Sequence, residues 1–281
     1  MLVNDIREKV EGFFSKLLDS DEEQIISISS GSYGHATGDT IEALLLGHLQ
    51  ECGLDAYYTN QFVEEVFKLV GPNKNRLENY LDGIWWSKLP LYSTQQKKNF
   101  LNGKPVGSYQ QAGADIVVFY GDDLYREPEK VILINAKSHS LDRKSRAPNI
   151  ISAQRLLEFC RELLRSDNDL EYAEYWFIGV NHKQINDRQA QVEDIIVKDL
   201  FKIDVSKITQ INFDAAIQIQ THIEDMVEIE QTKAQFIKSL SSRFIQDWQH
   251  HRDKKEEKYV KLYDEINALL RNKRSVTLND F

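Results

Sequence analysis

Three residues in one stretch have the types and spacing to do chemistry. Asp115 heads the apolar run IVVFY, and Asn135 and Lys137 close the apolar run VILINAK. Side chains alternate along a strand, so Asn135 and Lys137 share a face. A neighbouring strand starting near Asp115 brings the acid to the same sheet end. Two oxygen donors and an ammonium suit phosphodiester hydrolysis. Mg²⁺ binds hard oxygens, neutralises phosphate charge and lowers the pKa of a bound water, and Mn²⁺ can take the same ligands. The lysine orients that water or steadies the charge that develops on the phosphate. The plain alternative is that Asp115 caps a strand and Lys137 is the first solvated residue after one, because an acid plus Asn-x-Lys is a loose pattern.

Asn135 departs from what metal chemistry would ask. It offers one neutral oxygen where a carboxylate offers two that share a full charge. At metal-ligand distance, with an effective dielectric of about 20, losing that charge weakens Mg²⁺ binding by roughly several kcal/mol. Weak or absent cleavage is therefore expected. Two origins fit: a natural variant with altered metal use, or an Asp-to-Asn replacement that traps uncleaved substrate.

The elements that must hold these residues read as an α/β layer architecture. Residues 4–19 have the apolar spacing of an amphipathic helix. SISSGSYGHATGD (27–39) is a Gly/Ser-rich loop, after which Thr37 or Asp39 caps a helix with the stripe Ile41, Leu44, Leu45, His48, Leu49 and Cys52. Helices are expected over 60–70 and 73–85, split by Gly71-Pro72, with irregular chain over 86–112. Residues 115–120 and 131–135 form a hairpin across the polar turn GDDLYREPE. Pro148 and Asn149 open a helix with apolar positions 150, 153, 157, 160 and 164. Strands follow at 175–180, 194–201 and 209–213, and residues 214 to about 271 read as helical. One domain spanning 1–281 is expected, with 214–281 a helical C-terminal extension within it.

Bulk composition narrows the class. The chain has 281 residues, 41% hydrophobic and 28% charged, with a net charge of −9. No apolar window approaches the ~20 residues of a membrane span. The start MLVNDIREKVEGFFSKLL mixes charge with apolar residues, unlike a signal peptide. Cys52 and Cys160 read as buried free thiols, so a cytoplasmic protein without a membrane role is expected. The acidic total argues against broad nucleic-acid binding, but charge is segregated. KSHSLDRKSR (137–146) sets Lys137, Arg143, Lys144, Arg146 and His139 against Asp142 alone. SGSYGHATGD lacks the GK[ST] ending of a phosphate loop. His222, His250 and His251 lack paired metal-ligand spacing and read as surface or core residues. Trp85 and Trp86 read as core or interface, and RDKKEEK (252–258) as a solvated helix face.

Three blocks carry a resemblance: SGSYGHATGDTIEALL (30–45); the hairpin GADIVVF…ILINAKSHS with RAPNIISAQRL (146–156); and INFDAAIQIQTHIED (211–225). Together they resemble the PD-(D/E)xK nucleases, and more narrowly the HincII-type restriction endonucleases. The resemblance implies a restriction-endonuclease-like core, a mixed central sheet flanked by helices. It also implies Mg²⁺-dependent, sequence-specific cleavage of double-stranded DNA. Asp115 becomes the shared metal-binding acid, Asn135 stands at the second acid's position, Lys137 is the catalytic lysine, and Glu42 matches a supporting acid. Glu42 reads equally as a solvent-facing helix residue.

Base readout needs fixed donor and acceptor pairs, whereas Lys, Arg and hydroxyls hold phosphates. The resemblance implies base contacts at Asn149 and Asn212, with the small Ala215 and Ala216 permitting close approach. Arg146 stands where the family can press a residue into the base stack, yet an arginine suits minor-groove potential or phosphate better. Arg143 and Lys144 read as phosphate contacts, and Ser30, Ser32 and Tyr33 as hydroxyl donors to the backbone. Gln110 completes the expected DNA-contacting set. Two-fold symmetric DNA calls for a homodimer, and a cognate methyltransferase is expected in the same cell. The rivals are a subunit of a heterodimeric restriction or repair nuclease, a catalytically silent DNA-binding protein, and an α/β protein with no nucleic-acid role.

Overall fold

The computed structural model describes residues 3–19, 24–27, 35–59, 102, 104, 114–120, 130–142, 147–165, 173–214 and 217–279. The expected helices at 60–70 and 73–85, Trp85, Trp86 and the turn 121–129 lie outside them.

Six strands form the main sheet in the order β1-β7-β6-β4-β3-β2. These are β1 (Ile25–Ser27), β2 (Asp55–Tyr58), β3 (Ile116–Tyr120), β4 (Lys130–Ser140), β6 (Ala173–Asn186) and β7 (Gln189–Asp199). Among the described residues of this sheet, only β4 and β6 pair in parallel. Both are buried on two faces, which is why they read as continuous apolar runs. The faces separate by alternation. Val131 and Leu133 join Tyr175 and Phe177 in one core. Ile132, Ile134 and Ala136 join Trp176 and Ile178 in the other.

Helices α1 (Val3–Leu18) and α2 (His35–Glu51) cover the second face. Ile6, Val10 and Phe14 repeat every four residues, as do Ile41, Leu45 and Leu49, and all six are buried. Helix α2 begins at His35, so Thr37 and Asp39 lie within its first turns instead of capping it. It ends where Gly53 takes φ +76°. There the Gly53 N–H donates to Gln50 O and the Leu54 N–H to Leu49 O, a reversal that favours a residue without Cβ.

The first face is covered by helix α3 (Ala153–Arg165), by a three-stranded sheet in the order β5-β9-β8, and by the start of α4 (Lys233–Asn279). Two expectations fail here. Asn149 does not open a helix: Asn149–Ser152 is β5, paired with β9 (Gln218–Gln220), because β-branched Ile150 and Ile151 bury better against a sheet. The α3 start falls to Ser152, whose Oγ accepts from the Arg155 N–H, and the buried stripe becomes 153, 156, 159, 160 and 163, leaving Leu164 exposed. The C-terminal helix starts at Lys233 and not at 214, since Ile219 pairs in β9 and is buried. Strand β8 (Gln210–Asn212) completes the small sheet. Cys52 and Cys160 are buried free thiols. No helix among the described residues is long and apolar enough to cross a membrane.

Candidate active site

Asp115 sits in the bend just before β3, pinned on three sides. Its N–H donates to Ile134 O at 2.8 Å, and its carbonyl accepts from the Thr59 N–H at 3.1 Å. Buried Thr59 also donates its hydroxyl to Ala114 O. The carboxylate Oδ2 accepts the Ala136 N–H at 2.8 Å. Asp115 is thus tied to the peptide between Asn135 and Lys137, and the register Ile116 opposite Ile134 brings all three to one corner. Strand β4 continues to Ser140, so Lys137 lies within the strand and not in the solvated chain after it.

Asn135 is buried, its Nδ2 3.4 Å from the Tyr175 hydroxyl. Burial and the nearby Asp115 keep that phenol well above its usual pKa, so it stays a neutral hydroxyl behind the amide. Burial lowers the Lys137 pKa, while Asp115 and Glu42 pull it back up. Burial raises Asp115, with Lys137 and the Ala136 N–H opposing. Glu42, one residue past Ile41 of the buried α2 stripe, reaches the same corner. Burial, Asp115 and Asp39 push it up to about 7 against the pull of Lys137. It is no solvent-facing bystander.

A cleft of about 280 Å³ opens from this corner, lined among others by Asp39, Glu42, Lys137, His139, Asn149 and His222. Asn149 lies across it on the small sheet, its Oδ1 accepting from Gln220 Nε2 at 2.8 Å. Gln210 Nε2 in turn donates to Gln220 Oε1, so an amide ladder runs β8-β9-β5. Asn212 lies at the end of β8, its Oδ1 accepting the Asp214 N–H at 2.9 Å. Of the expected DNA contacts, Ser30, Ser32, Tyr33, Gln110, Arg143, Lys144, Arg146, Ala215 and Ala216 lie outside the described residues.

Sequence reading missed several neighbours. Tyr175 gave one signal, a hydroxyl inside an otherwise apolar strand. Gln210 and Gln220 sit on short strands whose pairing is not local. His139, His222 and Glu224 converge from distant positions, which no spacing rule would collect.

A mixed sheet with one parallel pair at its centre, helices packed on its faces and an acid, amide and lysine at one sheet corner defines the restriction-endonuclease-like class. Within that class, residues 28–266 match the family model described as Restriction endonuclease HincII, and the chain belongs to that family. Two curated relatives from Haemophilus influenzae, the type II restriction enzyme HincII and, from strain Rd, the type II restriction enzyme HindII, are each 28% identical over 46% of this chain. The match covers 49% of each relative, so the chain spans about half the length of the curated relatives it matches.

Proposed function

We propose that this chain is a type II restriction endonuclease that hydrolyses phosphodiester bonds in double-stranded DNA at a short, two-fold symmetric site, acting as a cytoplasmic homodimer with Mg²⁺. A host bearing it would carry a methyltransferase that protects the same site. The observation that carries this reading is one corner in which the Asp115 carboxylate is tied to the β4 backbone between Asn135 and Lys137, while Lys137 and Glu42 line a cleft that faces Asn149. Family membership supports it.

The donor set fits a hard divalent cation. Asp115 and Glu42 offer carboxylate oxygens, Asn135 a carboxamide oxygen, and Asp115 raises the Glu42 pKa in a way that a cation between them would relieve. Asp115, Asn135 and Glu42 would hold the ion, which would supply Lewis-acid polarisation of the phosphate and a more acidic water. Lys137 Nζ orients the attacking water and offsets charge on the phosphate oxygens. Tyr175 fixes the Asn135 amide, and the backbone anchors on Asp115 hold its carboxylate still without occupying Oδ1. Asn149 and Asn212 would read base edges, with Arg143, Lys144, Arg146, Gln110, Ser32, Tyr33 and Ala216 as the remaining DNA-facing set. Asn135 makes the site an attenuated one.

The test is digestion of unmethylated phage and plasmid DNA with Mg²⁺ or Mn²⁺ at high enzyme concentration. Discrete fragments that disappear in Asp115→Ala and Lys137→Ala support the reading. Neither fragments nor a retained complex on any DNA overturns it. Retention of one sequence without cleavage would favour a silent, sequence-specific DNA-binding protein, the second reading that Asn135 itself supports.

A further inference from the structure

We propose that His139, His222 and Glu224 form a second metal site in the same cleft wall, suited to a borderline-soft transition cation such as Zn²⁺. Glu224 Oε1 lies 3.7 Å from His139 Nε2 and 3.7 Å from His222 Nδ1. All the ligand atoms fall within 4.8 Å of one another, and the two imidazoles meet edge to face with centroids 5.2 Å apart. Tetrahedral Zn²⁺ with bonds of about 2.0–2.1 Å separates its ligand atoms by roughly 3.4 Å. Contraction by a few tenths of an ångström closes each Glu224 distance, within reach of side chains exposed by 19%, 21% and 38%.

Two imidazoles and a carboxylate select Zn²⁺, Co²⁺ or Ni²⁺ over Mg²⁺, which prefers hard oxygens. Asn135, Lys137 and His139 share one face of β4, and four residues of strand separate Asn135 from His139 by about 13 Å. The two sites therefore cannot share an ion, and one strand carries oxygen donors at one point and nitrogen donors further along.

Gly179 makes the cluster possible. It pairs with Lys137 across β4 and β6, and a Cβ there would come within 2.8 Å of Ile223 Cδ1. With no side chain on Gly179, Ile223 sits down on the main sheet, carrying His222 and Glu224 to His139. A bound ion would clasp β4 to the segment after β9 and hold the small sheet, with Asn149 and Asn212, against the main sheet. The inference concerns metal binding alone and stands whether or not the chain cleaves DNA.

The experiment is calorimetric titration of the EDTA-treated full chain with Zn²⁺, alongside Co²⁺ absorption spectroscopy, without DNA. One Zn²⁺ per chain, a visible Co²⁺ band and a higher thermal midpoint in Zn²⁺ are expected. His139→Ala and His222→Ala should each weaken Zn²⁺ by more than roughly tenfold and abolish the band. Asp115→Ala and the pair His250→Ala/His251→Ala should keep both. Glu224→Gln, isosteric and surface-exposed, separates a lost ligand from a lost fold, because its midpoint in EDTA should match the parent while Zn²⁺ binding falls. Absence of Zn²⁺ heat and of a Co²⁺ band, or binding unchanged by either histidine variant, overturns the proposal.

Discussion

Two clusters of buried charge lie toward opposite ends of the same central strands, and they are built differently. Near the start of β6, Lys233 Nζ grips Glu174 at 2.9 Å and also donates to Ala173 O, with both side chains 7% exposed. Beside it, Arg7 reaches both Glu228 oxygens at 2.8 and 2.9 Å, and Glu228 Oε1 accepts the Asp199 N–H at 2.7 Å. Burial pushes Glu228 up, but Arg7, the Asp199 N–H and Lys198 together outweigh it and hold the carboxylate below its usual range. These charges are stitched closed. At the other end Lys137, Asp115 and Glu42 feel one another through space, while backbone groups do the anchoring. Charges that serve the fold use up their partners. In the proposed site a backbone N–H anchors the Asp115 carboxylate through Oδ2.

The largest expected effect breaks the closed cluster. Lys233→Met leaves Glu174 buried with, among the described residues, the more distant Lys130 at 3.9 Å, and should cost about 3 kcal/mol in urea denaturation. Lys137→Met, a comparable loss of a buried cation, should change stability by less than about 1 kcal/mol, because the corner acids can take up protons. Equal losses from the two variants would erase the distinction.

Gly179→Ala comes next. The added methyl must displace Ile223, and about 2 kcal/mol of destabilisation is expected from thermal unfolding, since the crowding lies in a packed core.

The smallest effect concerns pH. Glu42 titrates at about 7 in the folded chain, above its ordinary 4.5. Its raised pKa contributes stability that is fully present below about pH 4.5 and is lost as pH rises through 7. Glu42→Gln should remove that loss, raising metal-free stability at pH 8 by about 1 kcal/mol after discounting for its partial exposure, and changing little near pH 4. Asp199, pushed up to about 6 by burial and Glu174, has the same sign in the closed cluster and should persist in Glu42→Gln. A variant whose stability at pH 8 matches the parent would separate Glu42 from the corner.

Asp115, Asn135 and Lys137 were legible as one corner because they sit at or beside adjacent strands β3 and β4, where strand alternation co-locates them. Glu42, by contrast, comes from helix α2 and was expected only through the resemblance. Asn149 was placed in the wrong element because NIISAQRLLEF has apolar residues at helical spacing, and only the distant β9 makes its first four residues a strand. The same non-local pairing hid β9 inside a stretch of apparent helix. Tyr175, the amide ladder and the histidine cluster depend on which strands neighbour one another, which local periodicity does not encode.

The central claim is that Asn135 occupies a metal-ligand position of a nuclease site. The most direct measurement compares DNA cleavage rates in Mg²⁺ for the chain as it stands and for Asn135→Asp on the same substrate. A gain on the order of 100-fold is expected, from restoring one charge at ligand distance in a partly buried site. A rate unchanged or lowered by the aspartate would contradict the account, for then position 135 would not be holding the cation.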